Sequence, residues 1–215
     1  MNPGDSPSSL GTMPIDQFLD LLASSSPTPG GGGIAALAGA LAAGLISMVC
    51  NLTVGKEKYA EVQDEVKAIL AQSEDLRRRL HLLVDADAQA FNRIMDAYRM
   101  PRATEEEKQA RTARIQEATI AASQVPLETA RECARIVDLA GPAARTTNVQ
   151  AIGDVAMAAY LAEGALRGAV VNIDINLRSV KDKETVRKLN EEARALTIGL
   201  REKVDQAVRE GLARL

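Results

Sequence analysis

The chain is poor in the side chains on which many binding and catalytic chemistries depend: its 215 residues include no tryptophan, one histidine, two cysteines and 2% aromatics. So few rings leave few platforms for stacking bases, and 26 Lys and Arg against 29 Asp and Glu leave no cationic excess to neutralise phosphates. No nucleic-acid partner is expected. A single histidine, His81, removes any multi-histidine metal site, and Cys50 and Cys133 show no metal-ligand spacing. The two cysteines read as reduced core thiols of a cytoplasmic protein, and no metal is expected. Met1 to Thr12 has neither a basic start nor an apolar core, so it reads as a disordered leader (1–12) rather than a signal peptide, ahead of a single domain over 13–215.

What the chain does have is an apolar share of 46%, ordinary for a globular protein, and one unusual stretch, Pro27-Thr28-Pro29-Gly30-Gly31-Gly32-Gly33. Four glycines bury no side chain and lose the most backbone entropy on ordering, so an ordered run of them suggests a close approach to the main chain. The run after it starts as a helix would, and exposed N–H groups at a helix N-terminus favour an anionic group. Ile34 to Val54 is long enough to cross a bilayer. Its many Ala and Gly residues, the interruptions at Ser47, Asn51 and Thr53, and the charged amphipathic segments downstream instead predict a buried central helix and no membrane partner.

Periodicity predicts helices throughout. A short one follows Pro14, with Ile15, Phe18, Leu19 and Leu22 as its apolar stripe. A long amphipathic stretch runs from Lys56 to Tyr98 and closes at Pro101. Thr104 with Glu107 forms a capping-box signature for the next helix. That helix is expected to kink or break near Ser123 to Val125, ahead of Pro126, and to end at Gly141-Pro142. Further helices are expected over about Val149 to Leu177 and Lys183 to Leu215, with Ala169 to Ile175 as the one weak strand candidate. The expected fold is all-α, an antiparallel up-and-down bundle of long helices. Its Ala/Gly faces favour self-association.

In the long stretch, Leu76, Leu80, Leu83, Phe91, Ile94 and Tyr98 make an apolar stripe with one vacancy, filled by Asp87. A carboxylate there is costly unless hydrogen-bonded or paired, and burial raises its pKa towards the range useful for proton transfer. Two readings stay open: a catalytic acid or base, or a buried aspartate that caps a neighbouring helix or pairs with an arginine. Asp85, rotated about 200° away, reads as a solvated charge. Gly164, Gly168, Asn172 and Asn176 step by four along one stripe. An amide pair there could read a ring edge that shows both donors and acceptors, or could satisfy backbone groups. Asp154 lies roughly 27 Å from Asn172 along the same helix. Lys56 could hold an anionic tail.

Five motifs in order carry a resemblance: Ser26 to Ala40, Asn51-Leu52-Thr53-Val54-Gly55-Lys56, Val84-Asp85-Ala86-Asp87-Ala88-Gln89-Ala90-Phe91, Val125-Pro126-Leu127 and Asn172-Ile173-Asp174-Ile175-Asn176-Leu177. Together they resemble the cyclodeaminase/cyclohydrolase family of folate enzymes, over nearly the whole chain after residue 12. The resemblance implies a helical homodimer acting on a one-carbon tetrahydrofolate with no separate cofactor, and Asp87, the second aspartate of Asp-Ala-Asp-Ala, as the catalytic acid. Gly30, Gly31, Gly32, Gly33, Lys56, Asp154, Asn172 and Asn176 become candidates for substrate binding. Relatives often carry three glycines and a serine where this chain has four glycines and Ile34. The expected activity is hydrolysis of methenyltetrahydrofolate. Formimidoyltetrahydrofolate cyclodeamination is the alternative, and a non-catalytic folate-binding helical protein the rival from another class.

Overall fold

The computed structural model describes residues 9–215 and holds seven α-helices: α1 (Ile15–Leu22), α2 (Gly31–Asn51), α3 (Gln63–Arg99), α4 (Glu105–Thr146), α5 (Ile152–Leu177), α6 (Lys183–Ala195) and α7 (Leu200–Leu212). No strand occurs among the described residues, and Ala169 to Ile175 lies within α5. Helix α2 is the axis of the molecule. It is long and apolar enough by composition to cross a membrane, with a mean hydropathy of 2.1. Its buried residues, from Ala35 and Ala40 through Ile46, Val49 and Cys50, are packed into the common core with α3, α4 and α5. Small residues allow this close approach: a Cβ on Gly39 would stand 2.7 Å from Cys133 Sγ of α4 and 3.1 Å from Leu80 of α3.

Gly33 meets Asp87, Gly39 meets Leu80, and the Ser47 and Ser73 hydroxyls share a 2.8 Å bond, so numbers rise along α2 as they fall along α3. At the far end, the Asn148 N–H donates to Thr53 Oγ1 at 2.8 Å and ties the entry to α5 to the end of α2. Helix α7 closes over α4 and α5 through Arg145 to Glu210, Lys203 to Asp138 and Arg201 to the buried Glu163.

The Thr104–Glu107 capping box is formed in both directions. Several expectations need correction. The leader expectation falls mostly on residues 1–8, outside those described, but Leu10–Thr12 forms a 3-10 turn with Leu10 buried against Phe18 and Val84. Asp85 is not a free surface charge: it accepts from Ser9 Oγ and the Leu10 N–H and so ties that turn to α3. Helix α4 neither breaks before Pro126 nor ends at Pro142; both prolines lie inside one continuous helix. An interior proline removes one hydrogen bond at a cost of roughly 3 kcal/mol. Burial of Leu127, Ala130, Cys133 and Ile136 just beyond Pro126 keeps the helix on the core despite that loss. The last stretch divides into α6 and α7 at Gly199, which takes a left-handed φ of 67°. The glycine run is no loop: Gly30 is the N-cap and Gly31 to Gly33 form the first turn of α2.

Candidate functional site

That first turn carries the site. Gly30 is extended, with φ −115° and ψ −169°, so the run is not required by left-handed backbone. Space requires it instead. A Cβ on Gly32 would lie 2.7 Å from Asp87 Cγ and collide with the carboxylate, and one on Gly31 would stand 3.4 Å from Asn172 Nδ2. Gly30 offers no side-chain cap. Asp87 reaches across from α3, and its Oδ2 accepts the Gly33 N–H at 2.8 Å. The capping reading of Asp87 is therefore realised, yet the same carboxyl also lines a cleft of about 220 Å³. Burial pushes its pKa above the ordinary carboxylate value, and the Gly33 N–H pulls it back in part by favouring the charged form.

Pro27, Thr28, Gly30, Gly31 and Gly32 form one wall of this cleft, Asp87, Ala90, Phe91 and Ile94 of α3 a second, and Ala122 of α4 with Asn172 and Asn176 of α5 a third. Gly33 stands behind, holding the carboxylate. Asn172 Nδ2 donates to Gly168 O at 2.9 Å, and Asn176 Nδ2 donates to Ala122 O at 3.5 Å. Both amides thus satisfy backbone carbonyls, and neither Oδ1 accepts from a described residue. The Gly31 and Gly32 N–H groups, at the positive end of α2, likewise have no acceptor among the described residues. One aromatic ring, a carboxyl whose pKa burial raises, two amide acceptors and a helix N-terminus suit a flat, donor-rich heterocycle and a proton transfer beside it.

Six of the candidate residues from the sequence (Gly30, Gly31, Gly32, Asp87, Asn172 and Asn176) therefore meet in one cleft. Two do not. Lys56 is exposed beyond the far end of α2, ~30 Å away by the rise of that helix. Asp154 lies in the first turn of α5, at the opposite end from Asn172. Both stand where their spacing in the sequence puts them, Asp154 about 27 Å along α5 from Asn172 and Lys56 past the end of α2, so neither lines this cleft. Sequence reasoning passed over the buried Ala122, whose carbonyl lacks a helical donor, a gap signalled only by Pro126 four residues on. It also passed over the buried Glu132 and Glu163, signalled by arginines three and four residues later: Arg135 and Arg79 hold Glu132 at 3.2 and 3.4 Å, and Arg167 holds Glu163 at 2.9 Å. Among the described residues, no three His, Cys, Asp or Glu side chains gather as metal ligands would.

An all-helical core with a cleft at the N-terminus of its central helix, lined by a carboxyl whose pKa burial raises, defines a candidate small-molecule site. Residues 14–195 match the formiminotransferase-cyclodeaminase family, and the chain belongs to it. It is 47% identical over 173 residues to the methenyltetrahydrofolate cyclohydrolase of Methylorubrum extorquens, covering 80% of this chain and 83% of that protein. It is 32% identical over 165 residues to rat formimidoyltransferase-cyclodeaminase, covering 77% of this chain but 30% of that longer protein. The crystal structure of formiminotetrahydrofolate cyclodeaminase from Thermotoga maritima superposes with a TM-score of 0.85 at 26% identity, over 95% of this chain and 98% of that one.

Proposed function

We propose that the protein hydrolyses 5,10-methenyltetrahydrofolate to 10-formyltetrahydrofolate, with Asp87 as general acid and base. One observation carries the reading: a carboxyl raised by burial faces a cleft built from the glycine turn, Phe91 and two amides, in a chain close to a methenyltetrahydrofolate cyclohydrolase over most of both lengths. The ionised carboxyl takes a proton from water as the water oxygen bonds to the cationic methenyl carbon. The resulting tetrahedral carbon carries a hydroxyl between two nitrogens. Asp87 then returns its proton to N5 as the carbon–N5 bond breaks; the hydroxyl proton leaves to solvent, and the formyl group remains on N10. Asn172 and Asn176 accept from the pterin edge, and the N-terminus of α2 receives its carbonyl oxygen. No cofactor beyond the folate enters these steps.

The four long helices α2 to α5 form an up-and-down antiparallel bundle that pairs as a homodimer in the cytoplasm. Pairing is supported by two apolar stripes at alternating three- and four-residue spacing. Ile34, Ala38, Leu41, Leu45, Met48 and Leu52 run along α2, and Met157, Leu161, Gly164, Gly168, Val171 and Ile175 along α5. Leu41, Met157, Val171 and Ile175 are each at least half exposed, and the stripes flank a groove of about 370 Å³. The α5 stripe begins at Asp154 and ends beside Arg178, so a second copy docked antiparallel would set opposite charges together.

Purified protein should erase the methenyltetrahydrofolate absorbance faster than buffer does. Growth of that absorbance from formimino-tetrahydrofolate, with release of ammonia and no hydrolysis of the methenyl compound, would instead assign the deaminase reaction.

A further inference from the structure

Pro126 is buried in α4, four residues after Ala122. In an unbroken helix the Ala122 carbonyl would accept the N–H of residue 126, and proline has none. Because α4 continues through Pro126, that carbonyl stays in the helix wall, at the edge of the cleft, without its helical donor. A buried carbonyl needs a partner. Asn176 supplies one across the cleft, its Nδ2 3.5 Å from Ala122 O. An asparagine amide has one donor end and one acceptor end, so engaging the donor end on α4 leaves Oδ1 free for a ligand.

We propose that Pro126 is a positioning residue for the substrate. By withholding an N–H it keeps the Ala122 carbonyl available to Asn176, and this sets the Asn176 amide oxygen to accept from the donor edge of the bound ring. The identity of that ring rests on the folate reading; the setting of the amide does not. The apparent defect in α4 is thereby a local feature of the cleft, at the single turn where α4 contributes to it.

Pro126→Ala restores the missing N–H, which competes with the Asn176 amide for the Ala122 carbonyl and weakens its hold. The expected result is a KM for methenyltetrahydrofolate raised roughly five- to tenfold, with kcat and its pH profile, which belong to Asp87, unchanged. Asn176→Ala should raise KM by a similar factor, and the double variant should be no worse than Asn176→Ala alone. Without any substrate, the side-chain amide protons of Asn176, followed by nitrogen-15 NMR, should exchange with water several-fold faster in Pro126→Ala than in the parent protein. Should Pro126→Ala fail to give the parent's circular dichroism spectrum, Pro126→Ser supplies the same N–H. An unchanged KM in a folded variant overturns the proposal, as do effects that multiply in the double variant or an unchanged exchange rate. Absence of turnover by the parent protein would instead overturn the folate reading, and the exchange measurement would still decide the role of Pro126.

Discussion

Asp87 does two jobs whose demands conflict. As the cap of α2 it is best ionised, whereas burial favours its protonated form, and burial is the larger influence. The native carboxyl therefore holds its proton to higher pH than the unfolded chain does. Stability present below the ordinary aspartate range is lost as pH rises through the raised native value. Asp87→Asn, whose amide oxygen still accepts from Gly33, should melt a few degrees above the parent at pH 7 in scanning calorimetry, and the gap should close near pH 3; a lower melting point at pH 7 would show that the ionised cap outweighs burial. Gly32→Ala tests the other partner. Its Cβ takes the space of the carboxylate, so kcat should fall at least tenfold through displacement of Asp87. An undiminished kcat would mean that the carboxyl moves aside and still works. Asp87 was legible in the sequence because a single acid interrupts an otherwise apolar stripe. A capping role on a neighbouring helix was legible as well, but not that the capped group is Gly33, since no local spacing links residues 54 apart.

At the scale of the element, the departures from expectation share one cause. Local signals mark where a helix loses stability, but tertiary packing decides whether it stops. Pro126 and Pro142 each cost α4 a hydrogen bond and end nothing, because the flanking turns are buried on both sides. Gly199 does mark a break, as the N-cap from which α7 starts. It sits exposed at the junction of α6 and α7 with no neighbour within 4 Å of a Cβ, so its role is conformational, set by a φ of 67°. Gly199→Ala should accordingly cost about 1 kcal/mol in urea denaturation, with the midpoint lowered and the slope unchanged. A neutral substitution would mean that the turn shifts to a right-handed backbone. The glycine run was legible as an approach site but read as a loop; its assignment to a helical turn depends on Asp87 arriving from another helix as the cap.

For the whole molecule, helix periodicity carried the all-helical class, and the motif order behind the family resemblance grouped the glycine turn, Asp87, Asn172 and Asn176, which the structure brings to one cleft. Sequence patterning could not place Lys56 and Asp154 relative to the cleft, since which end of one long helix meets which end of another is fixed only by packing. The exposed stripes on α2 and α5 bear on assembly: Leu41→Glu combined with Met157→Glu should convert a dimeric mass in light scattering to that of one chain. A parent protein already of single-chain mass would remove the dimer. The central chemical statement, that Asp87 moves the protons, is tested most directly by the pH dependence of methenyltetrahydrofolate turnover by the parent and by Asp87→Asn, with folate affinity measured alongside. The expected outcome is a parent rate that declines as acid protonates a carboxyl titrating above the usual aspartate value, and a variant slower by roughly 100-fold or more at every pH while folate still binds. A variant that retains both the parent's rate and its acidic limb would show that another group does the chemistry.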